Sequence, residues 1–270
     1  MAQGRPWGRR LLCAFGSLVI VFLLAPILVI AVVSFNRSAL FSFPPTAWSL
    51  RWYEALWTSR TWGEAGALSL RLAGAVACAA LLLGVPAAYA LARSQWRGRQ
   101  IVEFVLVSPM VVPAVVLAIG LYLLFAPLRL IGTTFAIFLA HTLLALPVVI
   151  VITGAAFRRV PPATELAARS CGASFLRAFW HVALPAVRPA IVSSGAFAFL
   201  TSFDEVVLVL FLGGPSTNTL PKRIWEAVKF ELDPSLTAVS TLLIVLTLIA
   251  LGVAELARRW LSVRPAGENR

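Results

Sequence analysis

The sequence predicts an all-α membrane protein with six transmembrane helices and with both chain ends in the cytoplasm. Three observations support this fold class. First, 60% of the 270 residues are hydrophobic and 13% are charged, whereas a soluble domain has about half apolar and about a quarter charged residues. Second, the apolar residues fall into six stretches long enough to cross a bilayer. Third, most of the 23 Lys and Arg residues lie in alternate connecting segments, as expected for cytoplasmic loops.

Each apolar stretch has roughly the 20 residues that a helix needs to cross the hydrocarbon core. The predicted spans are residues 11–33, 72–92, 104–128, 130–157, 189–212 and 236–254. The basic residues before the first span resemble the start of a signal peptide, but this apolar stretch is too long and has no convincing cleavage site. We therefore predict an uncleaved first span, a transmembrane domain over 11–257 and cytoplasmic ends over 1–10 and 258–270.

Prolines occur inside several of these spans, which does not argue against helices in a membrane. Neighbouring helices can satisfy the backbone groups that a proline leaves unpaired. Such kinks fit a bundle that bends or moves, and they fit simple packing irregularity equally well. The prolines concerned are Pro26, Pro86, Pro109, Pro113 and Pro147.

The basic residues also orient the chain in the membrane. With the N-terminus inside, 15 of the 23 Lys and Arg residues lie on the cytoplasmic side and 8 lie on the other side, whose loops are longer. Basic residues concentrate in cytoplasmic loops. The predicted topology therefore has both termini inside, and it puts residues 158–188 in the cytoplasm between the fourth and fifth spans.

A polar segment, TELAARSCGASFLRAFWHVALP (residues 164–185), lies within this cytoplasmic connection. Two prolines precede it and suit the first turn of a new helix. Gly172 suits the C-terminal turn of that helix, and Ser174 can cap a second one, which Pro185 is predicted to end. The segment therefore predicts a helix, a tight turn and a second helix, attached at both ends to membrane spans.

Three functions are conceivable for the 164–185 segment. A DNA-reading helix should present polar side chains to base edges, but the second helix carries Phe175, Phe179 and Trp180, so we expect no nucleic-acid partner. A plain basic loop needs neither a glycine turn nor an amphipathic pattern. A docking element for a cytoplasmic protein accounts for all features, with Glu165 and other charged residues as its polar rim.

This docking element resembles the cytoplasmic loop of the permease subunits of binding-protein-dependent ABC importers. The motif of that family is Glu-Ala-Ala, three residues, Gly, nine residues and Ile-x-Leu-Pro. The matching positions here, at the same spacing throughout, are Ala167, Ala168, Gly172, Val182, Leu184 and Pro185. Leu166 occupies the position of the family glutamate, and Glu165 lies one residue earlier.

The resemblance implies the fold of an ABC importer permease and a loop, residues 158–188, that inserts into a groove of a separate ATPase subunit. It assigns this coupling role to Glu165 and to the six matching positions. The implied partners, besides membrane lipid, are a second permease subunit, two cytoplasmic ATPase subunits and a periplasmic binding protein, in a bacterial inner membrane. The stretch SFDEVVLVLFLGGPSTNTLPKRIWEAVKFELDPSLTAVSTLL (residues 202–243) is similar to the spermidine/putrescine branch of the family.

The chain itself carries no motif for ATP hydrolysis. A phosphate-binding loop requires Gly-Lys followed by Ser or Thr, but Lys222 follows Pro221 and Lys229 follows Val228. His141 is isolated in an apolar span, so a packed histidine is expected there. We therefore predict a transport subunit without catalytic residues, metal or cofactor, whose energy comes from another polypeptide.

Asp204 and Glu205 are the acidic residues of the fifth predicted span. Ionisable groups inside a span are costly and suggest a function, and acids would attract a cation such as a polyamine. Adjacent helical positions point about 100° apart, so one acid would line the pathway while the other pairs with a neighbour. Alternatively, both lie near the outer interface and are satisfied by water or by Arg129.

The predicted function is therefore a permease subunit of an ATP-driven importer for a small cation, with polyamines as the expected class. A secondary transporter driven by an ion gradient is the alternative, although such proteins commonly place coupling-ion residues near the midplane. A membrane-anchored structural partner would leave Asp204 and Glu205 without a role.

Overall fold

All regular elements are helical in the computed structural model, which describes residues 6–38, 42–231 and 234–263. The predicted cytoplasmic ends lie in part outside these described residues. In chain order the helices are α1 Pro6–Val33, α2 Arg51–Thr58, α3 Arg60–Arg93, α4 Arg99–Val107, α5 Ala114–Phe125, α6 Thr134–Arg159, α7 Pro162–Ser170, α8 Phe175–Ala178, α9 Leu184–Ala186, α10 Arg188–Phe203, α11 Val207–Leu212, α12 Leu220–Glu226 and α13 Ser235–Val263.

Three helices of the described chain are long and apolar enough to cross a membrane on their own. They are Leu12–Val33 of α1, the whole of α3 and the whole of α6. Two further bent helix pairs raise the number to five if each pair is one span. In α13, the apolar stretch Ser235–Ile249 is shorter. The prolines inside α1, α3 and α6 leave these helices continuous, as membrane helices allow.

The third predicted span, 104–128, is not one continuous helix. α4 passes through a short 3-10 turn, Ser108–Met110, and α5 begins at Ala114, with a bend of 103° between the two parts. Pro109 lies in the 3-10 turn and Pro113 precedes α5 with extended backbone. A proline lacks the amide hydrogen that continues a helix, so two prolines four residues apart account for the break.

The fifth predicted span, 189–212, is also interrupted. α10 ends at Phe203 and α11 begins at Val207, so the predicted span consists of two helices. At the other end, the helical segment Phe175–Ala186 meets α10 at an angle of 74°. The interruption at 204–206 falls on the two acidic residues that the sequence singled out.

The described chain divides into two compact units, one from the 1–63 and 226–251 regions and one from the 64–225 and 252–270 regions. In the first unit, α2 is held to the residues that follow α1. The Trp52 indole donates a hydrogen bond to the Asn36 carbonyl at 2.8 Å, and the Tyr53 and Ser34 hydroxyls lie 2.6 Å apart. These bonds fix a short helix after the first predicted span.

The second unit contains the core that supports the candidate site. Its largest fully buried side chains include Phe157, Ile137 and Leu208. Small residues allow close helix approach, since a Cβ on Gly84 of α3 would lie 2.7 Å from Val149 Cγ1 of α6. Tight backbone approach at small residues is a common basis of helix association in membranes.

Candidate coupling loop and translocation site

The first arm of the coupling loop, defined as residues 158–188, is α7 with a tight turn at its end. Pro162 opens the helix after the extended Pro161. Gly172 has φ +93°, its N–H donates to the Arg169 carbonyl at 3.0 Å, and the Ala173 N–H donates to the Ala168 carbonyl at 3.1 Å. This pair of bonds is a Schellman turn, which favours glycine at the left-handed position. The predicted role of Gly172 in the turn is confirmed.

The second arm begins as predicted but ends differently. The Ser174 hydroxyl accepts a hydrogen bond from the Arg177 N–H at 3.3 Å, which confirms the predicted cap. The helix then widens into a π-helical turn, Phe179–Ala183, before α9. The prediction that Pro185 ends the helix is wrong, since helical backbone continues to Ala186. Pro185 lies in the first turn of α9, where a missing N–H is tolerated.

Glu165 of α7 points into the protein, and it is only 7% exposed. The Tyr89 hydroxyl donates to its Oε2, while Arg93 Nε and Nη2 donate to Oε1 at 2.9 and 2.6 Å. Both carboxylate oxygens are therefore occupied within the chain. The prediction that Glu165 forms part of an exposed polar rim is wrong, because the basic end of α3 supplies a buried partner.

Arg93 also binds the end of α6. Its Nη1 donates to the Phe157 carbonyl and its Nη2 to the Val160 carbonyl, both at 3.1 Å. A cation at a helix C-terminus interacts favourably with the unpaired carbonyls there. Because the Arg93 side chain is still 16% exposed, removing one partner of the Arg93–Glu165 pair should cost less than the roughly 3–5 kcal/mol typical of a fully buried pair. Arg93 therefore joins α3, α6 and α7.

An aromatic cluster surrounds the Arg93–Glu165 pair. The Tyr89 ring lies 4.7 Å from Phe179, 5.2 Å from Phe157 and 5.8 Å from Phe175, measured between ring centroids. These distances suit edge and tilted aromatic packing. Phe179 is therefore part of the protein interior and is not available to a partner. The other two aromatic residues predicted for docking, Phe175 and Trp180, are exposed.

The outer surface of the coupling loop is apolar and open. Leu166 is 57% exposed, Leu176 65% and Trp180 60%, and Phe175 is also exposed. Large apolar side chains that are this exposed on both arms are candidates for contact with a partner. The remaining motif positions range from exposed to half-buried, and they are Ala167, Ala168, Gly172, Val182, Leu184 and Pro185.

Two cavities adjoin the coupling loop. One of about 280 Å³ lies between its two arms and is lined by Ala168, Ala173, Arg177, Ala178, His181 and Val182. The other, of about 470 Å³, lies between the C-terminal part of α3 and the second arm, beside Tyr89, Arg93 and Phe175. The loop therefore offers both projecting side chains and recesses to a partner.

Asp204 and Glu205 lie where α10 gives way to α11. Asp204 is the C-terminal cap of α10, with φ −92° and ψ −5°, and its side chain is exposed. Glu205 is half-buried, and its Oε1 accepts a hydrogen bond from the Leu208 N–H at 3.0 Å. The prediction that the two side chains point about 100° apart on one helix is therefore wrong, because Asp204 and Glu205 lie in the break between α10 and α11.

The two acids have different surroundings. The Glu205 carboxylate satisfies the first turn of α11, as side-chain oxygens do at helix starts. Within the described part of the chain, no hydrogen bond or ion pair engages the Asp204 carboxylate. Below the break, the His141 ring and the Ser202 hydroxyl lie 2.9 Å apart in the core between α6 and α10, which is the packed role expected for His141.

The chain after α11 approaches the loop before α6 very closely. The Gly132 N–H donates to the Leu212 carbonyl at 2.8 Å, and a Cβ on Gly214 would lie 3.0 Å from Gly132 Cα. Gly132 has φ +86°, a region that glycine adopts at little cost. The two glycines therefore fix α11, and with it the helix break, against the start of α6.

Sequence reasoning missed Tyr89 and Arg93, which it treated only as part of a span and of the charge count. Their spacing could have indicated a shared role, because Tyr89 and Arg93 are four residues apart at the end of α3 and so lie on one helix face. Among the described residues, no group of three His, Cys, Asp or Glu side chains is arranged to hold a metal ion.

A family comparison agrees with this combination of bent apolar helices and a helix-turn-helix between α6 and α10. Residues 80–263 match the family described as "Binding-protein-dependent transport system inner membrane component". This range contains the coupling loop and the 204–206 break. The chain therefore belongs to this family of inner membrane transport components, and the resemblance seen in the sequence is confirmed.

Curated relatives include polyamine permeases. The chain is 35% identical over 230 residues to the putrescine transport system permease protein PotI of Escherichia coli (strain K12), covering 83% of this chain and 82% of that one. It is 31% identical over 252 residues to the spermidine/putrescine transport system permease protein PotC of the same organism, covering 93% and 95%. The predicted likeness to the spermidine/putrescine branch is thus confirmed.

Solved structures share the fold. A chain of a bacterial ABC transporter involved in the import of the acidic polysaccharide alginate matches with a TM-score of 0.76 at 18% identity, over 94% of this chain and 99% of that one. A chain of the MetNI methionine ABC transporter in inward-facing conformations matches with a TM-score of 0.60 at 15% identity, over 72% and 93%. The predicted permease fold is confirmed by these similarities.

Proposed function

We propose that this protein is a permease subunit of an ATP-driven importer in a bacterial inner membrane, and that its cargo is a polyamine such as putrescine or spermidine. The observation that carries the proposal is the coupling loop, a rigid two-helix projection with an open apolar surface. The similarity to PotI and PotC, whose names state putrescine and spermidine/putrescine transport, supports the cargo class.

The coupling loop fits a docking role for an ATPase subunit. Leu166, Leu176 and Trp180 form its exposed apolar part, and exposed Arg169 and Arg177 add charge at its edge. An interface of this kind combines an apolar centre with a polar rim. The complete importer would contain a second permease subunit, two ATPase subunits and a periplasmic binding protein, with both ends of this chain in the cytoplasm.

Asp204 fits a site that a cation passes. A carboxylate at a helix break inside a predicted span is costly unless it serves a function. Interrupted membrane helices commonly form solute and ion sites in transporters, because their ends expose polar backbone groups. Since Glu205 already binds the backbone of α11, Asp204 is the acid that we propose to face the pathway.

Replacing Asp204 tests the cargo site. Asp204→Asn keeps the shape of the side chain but removes its charge, so we expect putrescine uptake to fall about tenfold, the factor for about 1.4 kcal/mol of lost attraction. The measurement is uptake of radiolabelled putrescine in a strain without its own polyamine importers, with the partner subunits co-expressed and protein amounts matched.

Glu54→Gln is the matched control, since Glu54 is an exposed acid of α2 in the other compact unit of the chain, and its replacement removes the same charge. Equal uptake by Asp204→Asn and by the unmodified protein would contradict the cargo site. Uptake that continues without the ATPase subunits would instead support a secondary transporter.

A further inference from the structure

The coupling loop has one acidic residue, Glu165, whose side chain is buried in the protein and does not belong to the exposed docking surface. Leu166, at the position of the family glutamate, faces solvent, whereas Glu165 is buried against α3. A carboxylate whose two oxygens both accept hydrogen bonds from its own chain has little capacity left for an ATPase. The contacts of Glu165 therefore lie within the permease itself.

The hydrogen bonds around Glu165 converge from three helices. Arg93, the last residue of α3, binds Glu165 of α7 and the carbonyls of Phe157 and Val160 at the end of α6. The guanidinium group presents five donors in a fixed planar arrangement, which suits several simultaneous acceptors. A displacement of α7 therefore either moves Arg93, which also holds the end of α6, or breaks the charge-assisted bonds between Glu165 and Arg93.

Tyr89 extends the same attachment to the second arm of the loop. Its hydroxyl donates to Glu165 of the first arm, while its ring packs on Phe179 of the second arm. Tyr89 and Arg93 lie one helical turn apart on α3. One face of α3 thus holds both arms, and the cavity between that face and the second arm is lined in part by the exposed Phe175 and Leu176.

We propose that Tyr89, Arg93 and Glu165 are positioning residues that transmit movement of the docked coupling loop to α3 and α6. This inference rests on the proposed function and deepens it, because it assigns docking to the exposed apolar residues and transmission to the buried polar ones. Loss of the buried bonds should leave an ATPase that still binds and hydrolyses ATP but moves less cargo per ATP.

The test uses the complete importer purified with its partner subunits and reconstituted in proteoliposomes. Putrescine import and ATP hydrolysis are measured in the same samples, and the readout is the number of ATP molecules hydrolysed per putrescine imported. For Glu165→Gln we expect this ratio to rise roughly fivefold or more, within the usual range of coupling between sites, with the ATPase still co-purifying. A purely structural role would lower the amount of complex without changing the ratio.

Conservative variants sharpen the test. Tyr89→Phe keeps the packed ring and removes one hydrogen bond, so the ratio should rise less than in Glu165→Gln. Arg93→Lys keeps the charge, but its donors all lie on one nitrogen and cannot reproduce the forked contact with the carboxylate and both carbonyls. The ratio should therefore rise more in Arg93→Lys than in Tyr89→Phe. Because Glu165 and Arg93 act as a unit, the double variant Glu165→Gln with Arg93→Lys should raise the ratio no more than the single variant with the larger effect.

Glu54→Gln is the control, since it removes the charge of an exposed acid of α2 that takes no part in the contacts of the coupling loop, and it should leave the ratio unchanged. An unchanged ratio in both Glu165→Gln and Tyr89→Phe would overturn the proposal, as would loss of the ATPase from the Glu165→Gln complex. A wild-type complex that imports no putrescine with ATP would count against the proposed function instead.

Discussion

Individual residues set how closely the helices of the second unit approach each other. Gly84 of α3 and Gly195 of α10 both face bulky side chains at distances that leave no room for a methyl group, Val149 and Leu81 respectively. Gly74, also on α3, has open space around it. The same residue type on one helix therefore has a packing role at one position and none at another.

Gly84→Ala should destabilise the second unit. The new Cβ would lie 2.7 Å from Val149 Cγ1, and overpacking of this kind typically costs about 1–3 kcal/mol. The measurement is the midpoint of thermal unfolding in detergent, followed by the loss of the monodisperse protein on size-exclusion chromatography.

Two further variants make this packing test specific. Gly74→Ala should leave the midpoint unchanged, because nothing lies within 4 Å of the added atom. Val149→Ala in the Gly84→Ala background should restore part of the loss by removing the obstructing methyl group. A Gly84→Ala protein that unfolds at the same temperature as the unmodified one would show that the helices separate freely there.

At the scale of elements, the fifth predicted span depends on how its short outer helix is held. α11 has only six residues, Val207–Leu212, and short helices are marginal without tertiary support. Three contacts supply that support: the Glu205 cap, the buried Leu208 and Val209, and the bond from Gly132 to the Leu212 carbonyl. The break at Asp204 is therefore a fixed feature rather than a frayed helix end.

Glu205→Ala should loosen this short helix. The variant leaves the Leu208 N–H without its acceptor, and loss of a cap typically costs about 1 kcal/mol. Glu205→Gln retains an oxygen acceptor at the same distance and should be closer to the unmodified protein. Hydrogen–deuterium exchange of residues 206–212 measures the difference, and equal exchange in both variants would show that the cap does not hold α11.

At the scale of the whole molecule, the chain must be inserted so that the coupling loop reaches the cytoplasm. Cys171, next to the turn at Gly172, is exposed, and it provides a natural reporter. With Cys13 and Cys78 replaced by Ser and the chain expressed without its ATPase, a membrane-impermeant maleimide should label Cys171 in inverted vesicles and not in intact spheroplasts.

A second reporter, Thr58→Cys, lies on the exposed end of α2 and is made in a protein that lacks all three natural cysteines. The maleimide should label it in intact spheroplasts and not in inverted vesicles. α2 follows the first predicted span, so it lies outside the cell if the N-terminus is inside. Labelling of Cys171 from outside in intact spheroplasts would reverse the predicted orientation of the chain.

Local features of the coupling loop were predictable, because they depend on residues close in sequence. The turn at Gly172 and the cap at Ser174 involve residues three to five positions apart. The bonds between Glu165 and Arg93 join residues separated by 72 positions, and a local pattern does not encode such a pairing. The same reason explains why Phe179, apolar like its neighbours, could not be assigned to the interior in advance.

Helix continuity was harder to predict than helix existence. Pro86 and Pro147 lie inside unbroken α3 and α6, whereas Pro109 and Pro113 mark a bend of 103°. A single proline in a long apolar helix is compensated by its neighbours, but two within one turn remove adjacent backbone bonds. The break at Asp204 contains no proline, and it follows instead from the tertiary contacts that hold α11.

The π-helical turn at Phe179–Ala183 has a consequence for the length of the coupling loop. A π turn accommodates one residue more than an α-helical turn, so the nine residues between Gly172 and Val182 include an added position. Deleting a single residue there would restore a regular helix, and the residues after it would keep their present faces, because the π turn absorbs its extra residue locally. The same deletion in α10, which is α-helical throughout, would rotate every later residue by about 100°. The π turn therefore makes this part of the motif tolerant of a change in length that a regular helix would convert into a change of direction.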